Sequence, residues 1–486
     1  MSAKNEGPPS LHDIEIGEKI EIGKFRMDRE YVEYIAEQAL SENKWVIMVV
    51  VGTKPDFYKQ YSLLYWAQEL DVPVILATTG QHYDELLGYG LKEFRMYPSI
   101  DLCIRGDLLR KATEMFYRIG QLGKWLKKKY PKLVVLPIPH GDTLSAAIVS
   151  ASWFLSTRQG VGQNEAGLRG MAPKSWRNNE VYHKMKNVTI DFSKFIEDQW
   201  YGEWFVLRNE PYPEQWDTFV SGAGSAYLFA PHEINKKHLL NEGYQEESIQ
   251  VVGNSVVDAI KLVPKPEKSI FDIYPKLEEY DNWIRVDIHR RGNLVESRFK
   301  SIVEGIISLV KKGQPVVWVE LVATREALEF YGLRDKIIRL SEEYENFLFT
   351  PLWASYGNVI EFWKSGHCIA ELTDSGSVQE ELNDISEVLC LTIRCNTDRP
   401  ESVFDANSNL LVPPVSGEFI SKFVNFVLNS DDIINHMRNA KKIYGVDVGK
   451  KIISFLLKEM ERGEYPFKWV HQQLWDIPPE KSPEYL

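Results

Sequence analysis

Short apolar runs recur along the chain and alternate with longer stretches in which apolar residues follow a helical spacing. The first firm run, WVIMVVVG at residues 45–52, is rich in Val and stops at Gly52. Runs of this kind are typical of fully buried parallel strands. In this half of the chain the pattern predicts strands at 45–52, 72–79, 133–138, 227–230 and 249–253. It predicts helices at 29–40, 58–70, 108–129, 143–155 and 232–242.

A second series of the same kind follows. Its predicted strands lie at 283–288, 315–320, 347–350, 367–372 and 387–393, with helical patterns between them. Repeated strand–helix units predict parallel sheets with right-handed crossovers. Because the two series join near residues 256–266, we predict an α/β protein with two Rossmann-like domains that face a central cleft. Ligands of such sheets bind at the carboxyl ends of the strands, so the residues after each strand are the candidates for chemistry.

The same pattern sets the predicted domain boundaries. We expect an amino-terminal appendage at residues 1–40, a first domain at 41–258, a second domain at 259–440, and carboxy-terminal helices at 441–486 that pack back on the first domain. Residues 171–212 interrupt the first domain and fit no strand pattern. An irregular segment of this length is typical of a lid, an oligomer contact or a disordered loop.

Composition narrows the class of protein. A chain of 486 residues is too long for one hydrophobic core, which agrees with two domains. The net charge of -12 argues against a nucleic-acid partner, because phosphate backbones favour basic surfaces. Four scattered cysteines form neither a disulfide framework nor a zinc-site pattern. With no apolar signal region and no apolar run near the ~20 residues that a membrane helix needs, we expect a cytoplasmic protein without membrane insertion.

The loops that follow the first two strands carry cations and polar groups. Gly52 permits a tight turn, and the helix that follows offers free N–H groups to an anion beside Lys54 and Lys59. A purely structural turn explains this segment equally well. After the second strand, Gln81 and His82 are candidate regulatory or sugar contacts, although a polar helix cap explains them almost as well.

Two carboxylates follow later strands of the first half. Asp142 in PHGDT lies just before a helix, where it is either an N-cap or a carboxylate aimed into the cleft for proton transfer. Glu165 lies in NEAGLRG at 164–170, next to a possible strand end at 160–163. We expect burial to raise the pKa of Glu165 and make it a usable acid. Glycines that flank Leu168 and Arg169 allow the backbone to approach a ligand closely.

Two segments of the second half suit a nucleoside diphosphate. HRRGN places His289, Arg290 and Arg291 at a strand end, where arginine can bind a diphosphate through two hydrogen bonds; the alternative is a surface charge cluster. In TDSGSVQEE at 373–381, the strand-to-helix turn offers N–H groups and hydroxyls to a phosphate. Glu381 at the end of this segment can accept hydrogen bonds from two ribose hydroxyls.

Taken together, the motifs resemble a known family. They are, in order, GTKPD, TTGQHYD, HGDT, EAGLRG, LFAPHEINKKHLLNEG, VVGNSVVDAI, HRRGN, LTDSGSVQEE and TDRPESV, and they extend from about Trp45 to Val403. This series resembles the UDP-N-acetylglucosamine 2-epimerase family, which has the two-domain glycosyltransferase-B fold. The resemblance implies conversion of UDP-N-acetylglucosamine to UDP-N-acetylmannosamine. In that family the C2 proton is removed and UDP leaves to give a 2-acetamidoglucal, after which UDP adds back and the opposite face is protonated.

The resemblance also implies site residues. The acid/base carboxylates of the family match Asp142, Glu165 and Glu214, with Glu210 as a rival to Glu214, and which of them removes the proton stays open. The histidine of HRRGN, His289, is a further candidate for the catalytic set. Ligands of the UDP-sugar are carried over to Lys54, Lys59, Arg169, Arg290, Phe362, Ser375, Gly376, Ser377, Glu381 and Arg399, with Phe362 stacked on the base. A homodimer that needs no cofactor and no metal ion is expected on the same ground.

Several motifs depart from the family pattern. The family motif GTRPE is GTKPD in this chain, so the point charge of Lys54 replaces an arginine. The family motif PEExNR is PEQWDT in this chain. The family motif HRREN is HRRGN in this chain. The family motif VHxNP, which is tied to activation by a second substrate molecule, is replaced by WVELV. We therefore keep three alternatives to a reversible epimerase: a hydrolysing relative that releases free N-acetylmannosamine, a glycosyltransferase, and a sugar-nucleotide binder without activity.

Overall fold

The computed structural model describes residues 25–81, 90–353 and 355–463. The strands of the amino-terminal half are β1 (Arg26–Met27), β2 (Val46–Val51), β3 (Val74–Thr78), β4 (Ile100–Asp101), β5 (Val135–Ile138), β6 (Val161–Asn164), β7 (Met171–Pro173), β8 (Trp204–Val206), β9 (Ser225–Ala230) and β10 (Ile249–Val251). Its helices are α1 (Arg29–Glu42), α2 (Lys54–Glu69), α3 (Leu108–Lys129), α4 (Leu144–Thr157), α5 (Asn179–Lys186), α6 (Phe192–Tyr201), α7 (Glu214–Ala223), α8 (Glu233–Asn241) and α9 (Val256–Leu262). Each strand and helix predicted in this half has a counterpart, with somewhat shifted ends.

Two sheets form the amino-terminal half. The first has the strand order β1-β4-β3-β2-β5, in which the short edge strand β1 is antiparallel and the other pairs are parallel. Every residue of β2 is buried, because its alternate side chains enter apolar cores on opposite faces of the sheet. The second sheet has the order β10-β9-β6. His140, after β5, pairs with Asn164 of β6, so the two sheets are continuous at this point.

The second half contains one parallel sheet. Its strands are β11 (Trp283–Asp287), β12 (Val316–Glu320), β13 (Phe347–Pro351), β14 (Cys368–Thr373), β15 (Leu389–Thr392) and β16 (Asn409–Leu411), in the order β13-β12-β11-β14-β15-β16. Its helices are α10 (Ile270–Ile273), α11 (Glu296–Lys311), α12 (Val322–Phe330), α13 (Arg334–Glu343), α14 (Tyr356–Lys364), α15 (Gly376–Asp384), α16 (Glu401–Phe404), α17 (Gly417–Leu428), α18 (Asp431–Arg438) and α19 (Val448–Glu461). This strand order reverses between β11 and β14, and the loops after these two strands therefore border the crevice where ligands of such sheets bind. Within the described residues, no helix combines the length and the apolarity that crossing a membrane requires.

Residues 171–212 are not an irregular loop, which corrects the expectation from the sequence. They contain the antiparallel pair β7–β8 and the helices α5 and α6. Phe195 of α6 packs edge-on against Phe419, and the amide of Gln199 bonds to both the N–H and the C=O of Leu411 on the edge strand β16. The segment branches from the first half but docks on the second. Its short helices bury few apolar residues, so no clear periodicity marks them in the sequence.

The ends of the described chain pack on the first half. Val32 and Ile35 of α1 are buried against the first sheet, and β1 pairs with β4, so residues 25–42 lie on that sheet. At the other end, Asp258 of α9 accepts hydrogen bonds from the N–H groups of Val448 and Gly449 at the start of α19. The boundaries of the domains stay a prediction.

Candidate functional site

Loops of the first half face the loops after β11, β14 and β15 across a cleft. They enclose a cavity of about 310 Å³. The first half contributes Thr53, Pro55, Asp56, Lys59, Gln81, Leu108, His140, Asp142, Thr143, Glu165, Pro213, Glu214 and Asp217. The second half contributes His289, Arg290, Arg291, Ser375, Gly376, Ser377 and Arg399. Most of the strand-end residues that the sequence pattern singled out therefore meet in one cavity.

Arg399 is the centre of the charge network in this cavity. Its guanidinium lies 2.9 Å from Glu380 Oε1, 2.7 Å from Asp398 Oδ2, 3.3 Å from Glu165 Oε2 and 3.4 Å from Asp142 Oδ2. Burial alone would lower the pKa of Arg399, but these carboxylates hold it well above its ordinary value. One arginine of the second half thus binds two carboxylates of the first half. Among the described residues, no group of carboxylates, histidines or cysteines is arranged to hold a metal ion.

Glu165 is a buried carboxylate surrounded by cations. Its Oε1 atom lies 2.5 Å from Lys59 Nζ, and its Oε2 atom lies 3.3 Å from Arg399. Burial alone would raise the pKa of Glu165, but Lys59, His140 and Arg399 hold it well below its ordinary value. The expectation of a raised pKa and an acid role is therefore wrong, because the fold places opposite charges around this carboxylate.

Lys59, predicted as a diphosphate ligand, is fully buried between two carboxylates. Its ammonium lies 2.5 Å from Glu165 and 2.6 Å from Glu380, and these anions raise the pKa of Lys59 against the effect of burial. A cation paired twice in this way has little charge left for a phosphate. The contacts of Lys59 fix Glu165 and join the two halves, and its role as a diphosphate ligand stays a prediction.

Two residues without a predicted role lie behind Glu165. Asp56 accepts hydrogen bonds from the N–H groups of Gly52 and Thr53 at the start of α2, and its other oxygen lies 3.1 Å from His140 Nδ1. His140 Nε2 in turn lies 3.3 Å from Glu165 Oε2. Both residues belong to strand-end motifs, GTKPD and HGDT, so their position in the sequence was a signal that could have found them.

Asp142 lines the cavity and is not a helix cap, because Thr143 is the N-cap of α4. Burial raises the pKa of Asp142 to about 6, although Arg399 opposes this rise. Asp217 on α7 is 3% exposed, and burial, followed by the like charges of Asp142 and Glu214, raises its pKa to about 8. The pKa values of the two aspartates are therefore raised to different extents within the same cavity.

Glu214 and its rival Glu210 lie in different surroundings. Glu214 is the first residue of α7 and lines the cavity, with Oε1 3.5 Å from Arg290 Nη1. Arg290 also lies 3.2 Å from Asp398, and these anions raise its pKa against the effect of burial. Glu210 is exposed and borders a neighbouring depression. The structure brings Glu214, and not Glu210, to the cavity.

The turn between β14 and α15 presents residues 375–377 to the cavity. Asp374 within this turn accepts hydrogen bonds from the backbone N–H groups of His289 and of the residue after it, so the two loops of the second half are aligned. At Gly376 a Cβ atom would come within 2.9 Å of the Arg399 guanidinium, so glycine leaves the room that this arginine needs. The helix N-terminus predicted for a phosphate is therefore at the cavity.

Glu381 and Lys54 do not line this cavity, and Glu381 lies next to a pair of tyrosines. Tyr356 donates a hydrogen bond of 2.8 Å to Glu381 Oε1, and its ring stacks on that of Tyr58 with centroids 4.3 Å apart. Burial raises the pKa of Glu381 to about 7 and lowers that of Lys54. The carboxylate predicted to bind ribose is thus already hydrogen-bonded to a hydroxyl of the chain itself.

Two predicted ligands, Arg169 and Phe362, do not line the cavity. Arg169 donates hydrogen bonds to both carboxylate oxygens of Glu242, and its guanidinium lies over the ring of Phe219. Phe362 is fully buried, with its ring centroid 5.3 Å from that of Trp353. Neither side chain reaches the cavity, which corrects both assignments: an ion pair holds one residue and core packing holds the other.

Gln81, a candidate regulatory or sugar contact, lines the cavity. Its Oε1 atom accepts hydrogen bonds from both the N–H and the hydroxyl of Ser145, at 2.8 and 2.7 Å. These bonds fix the side chain against the first turn of α4. The other predicted contact in this loop, His82, lies outside the described residues.

Sequence comparison links the chain to one family. The sequence model of the family described as UDP-N-acetylglucosamine 2-epimerase matches residues 208–457. The enzyme of that name from Methanocaldococcus jannaschii is 26% identical over 417 residues, which cover 84% of this chain and 98% of the relative. The enzyme from Bacillus subtilis strain 168 is 28% identical over 429 residues, which cover 85% of this chain and 95% of the relative.

Solved structures show the same architecture. The Methanocaldococcus jannaschii UDP-GlcNAc 2-epimerase in complex with UDP-GlcNAc and UDP superposes with a TM-score of 0.66 at 26% identity, over 85% of this chain and 99% of that one. The Neisseria meningitidis enzyme bound to UDP-GlcNAc has a TM-score of 0.64 at 23% identity, over 85% and 100%, which supports the fold alone. These likenesses confirm the two-domain glycosyltransferase-B fold. Because the family match spans 250 of the 486 residues, the chain belongs to the UDP-N-acetylglucosamine 2-epimerase family.

Proposed function

We propose that the protein is a UDP-N-acetylglucosamine 2-epimerase of the non-hydrolysing type, which inverts C2 of the sugar by elimination and re-addition of UDP. One observation carries the proposal: a single cavity combines carboxylates of the first half with anion-binding groups of the second. Asp142, Glu165 and Glu214 are the carboxylates, and Arg290 and residues 375–377 are among the anion-binding groups. A glycosyltransferase needs the second set but gives no reason for the first.

In this proposal the second half holds the diphosphate. Helix α15 begins at the cavity, so its free N–H groups and the positive end of its dipole favour phosphate oxygens. His289 and Arg290 add donors on the facing loop. Since UDP is the leaving group, the same contacts stabilise the negative charge that develops as the C1–O bond breaks.

Asp142 is the base that removes the C2 proton in this proposal. Its pKa of about 6 combines useful basicity with a large ionised fraction at neutral pH. Glu165 has a different task, because Lys59 and His140 help to keep it ionised. As a fixed anion in the cavity, Glu165 stabilises the positive charge that develops at C1 while UDP departs.

The non-hydrolysing outcome is proposed from the way the two halves are joined. The ion pair between Arg399 and Glu165 crosses the cleft at the cavity. Met171 and Thr397 exchange two backbone hydrogen bonds, of 2.7 and 2.9 Å, between the halves. Contacts that hold the halves together favour retention of UDP beside the glucal until it adds back. Hydrolysis would instead require water to reach C1 and UDP to leave.

Incubation with UDP-N-acetylglucosamine in D₂O tests this function. We expect UDP-N-acetylmannosamine to form, deuterium to enter C2, and free UDP to stay low. Accumulation of free N-acetylmannosamine and UDP would identify a hydrolysing enzyme instead. Absence of deuterium at C2 with this and other UDP-sugars would overturn the proposal, and tight UDP binding in calorimetry would then indicate a binder without activity.

We also propose, from the family resemblance, that the protein is a cytoplasmic homodimer. The dimer is tested by light scattering of the purified protein coupled to size exclusion. A mass equal to that of one chain would overturn it.

A further inference from the structure

Asp217 is a buried carboxyl group of helix α7 that borders the cavity. Asp217 is 3% exposed, and its Oδ1 atom has no hydrogen-bond partner among the described residues. Buried polar atoms are almost always hydrogen-bonded, so an exception next to a cavity indicates a ligand or a catalytic task.

The charges that act on Asp217 are anions. After burial, the effects that disfavour its ionisation come from Asp142, after β5, and from Glu214 on the same helix. The guanidinium groups nearest to this cluster are engaged with those neighbours: Arg399 lies 3.4 Å from Asp142, and Arg290 lies 3.5 Å from Glu214. The pKa of Asp217 is therefore about 8, whereas that of Asp142 is about 6.

Inversion at C2 needs one group that accepts a proton and another that donates one. Glu165 does not suit the second task, because Lys59 and Arg399 keep it ionised. Between the two pKa values, Asp142 is ionised and Asp217 is protonated, which is the combination that the reaction requires.

We propose that Asp217 is a further catalytic residue that donates the second proton of the epimerisation, the one that reaches C2 after Asp142 has accepted the first. The inference rests on the proposed function and names one of its proton donors.

In the forward direction the reaction has two steps. The C2–H bond breaks, its proton goes to the Asp142 carboxylate, and its electron pair forms the C1=C2 double bond while the C1–O pair leaves with UDP. In the second step the C1=C2 pair takes the proton of Asp217, whose O–H pair stays behind as a carboxylate, and a UDP oxygen donates a pair to C1. Asp142 then gives its proton to water and Asp217 takes one from water.

The test separates proton exchange from inversion. Wild type, Asp217→Asn and Trp216→Phe are incubated with UDP-N-acetylglucosamine in D₂O, and both deuterium at C2 of recovered substrate and formation of the epimer are measured by NMR. In Asp217→Asn we expect inversion to fall about 10²–10⁴-fold, the usual contribution of a general acid, while Asp142 still exchanges the C2 proton. Trp216 is a half-exposed neighbour on the same helix, and its variant should match wild type. Asp217→Glu, which restores a carboxyl group, should recover part of the inversion.

The possible outcomes are distinct. Inversion at the wild-type rate in Asp217→Asn, or an equal loss of exchange and inversion, overturns the role of Asp217. A wild-type enzyme that shows neither exchange nor inversion overturns the proposed function and this inference together. Where Asp217→Asn fails to bind UDP in calorimetry, the wild-type pH profile decides: inversion should fall above about pH 8 while C2 exchange continues. A parallel fall of both would overturn the proposal.

Discussion

The ammonium group of Lys59 lies 2.6 Å from Oε2 of Glu380, and both side chains are fully buried. Lys59 belongs to the first half of the protein and Glu380 to the second, so this ion pair joins the halves next to the cavity. Removing two charges from water is costly, and the pair persists because Glu165 and Arg399 complete its surroundings. The position of the halves and the charges of the cavity are therefore linked.

Lys59→Met should destabilise the protein strongly. It leaves Glu165 and Glu380 buried without their shared cation, and an uncompensated buried charge costs about 3–5 kcal/mol in free energy of unfolding. Urea unfolding measures the loss. The matched control Lys300→Met breaks the exposed pair with Glu296 and should leave the midpoint unchanged. Equal losses in the two variants would contradict the prediction.

Asp142→Asn should abolish proton removal but not nucleotide binding. An amide cannot accept the C2 proton, so we expect deuterium incorporation at C2 to fall about 10²–10⁴-fold. Affinity for UDP, measured by calorimetry, should stay close to that of wild type. Asp191→Asn is the control, because Asp191 caps α6 outside the cavity and asparagine caps a helix equally well. Retention of exchange in Asp142→Asn would show that another group is the base.

Glu381→Gln should distinguish a ribose contact from a phosphate contact. If Glu381 binds the ribose hydroxyls as a carboxylate, the substitution removes hydrogen bonds to a charged group. The binding of UDP, measured above the Glu381 pKa of about 7, should then weaken by about 1.5–3 kcal/mol. Binding of inorganic diphosphate should not change. Tyr356→Phe removes the hydroxyl that now bonds to Glu381 but keeps the carboxylate, so it should not weaken UDP in the same way. Equal weakening of UDP and diphosphate in Glu381→Gln would argue against the ribose contact.

The free energy of unfolding should decline as the pH rises, in part because of Glu371. This glutamate on β14 is fully buried against Arg285, and burial raises its pKa to about 8, compared with about 4.3 in an unfolded chain. Its contribution to stability is therefore complete below about pH 4 and is lost as the pH rises through about 8. Urea unfolding between about pH 5 and 9 should show a steeper decline in wild type than in Glu371→Gln. Identical slopes would exclude Glu371 as a cause.

Gln199→Ala should release the edge of the second sheet. The Gln199 amide bonds to both the N–H and the C=O of Leu411, so this side chain replaces a neighbouring strand. We expect amide hydrogen exchange at Leu411 to accelerate, while exchange in the central strand β14 stays slow. Unchanged protection at Leu411 would show that residues 171–212 do not dock there in solution.

Most strands and helices could be predicted because their signals are local. The buried strand β2 and the amphipathic helix α3 are long runs with one clear periodicity. The three-residue strand β16 and the short helices of residues 171–212 could not, since they gain their stability from contacts with distant parts of the chain. Their partners, such as Leu411 for Gln199, are 212 positions away in sequence.

The sequence by itself determined which chemical groups follow the strands, and so brought Asp142, His289 and residues 375–377 to one cavity. Only the tertiary structure decided the charge state and direction of these groups. The pKa of Glu165 is held well below its ordinary value and that of Asp217 is raised to about 8, although both are buried carboxyl groups of the same half. The reason is that a pKa depends on the distance to other charges in space. Arg399 contacts Asp142 although the two residues are 257 positions apart in the sequence.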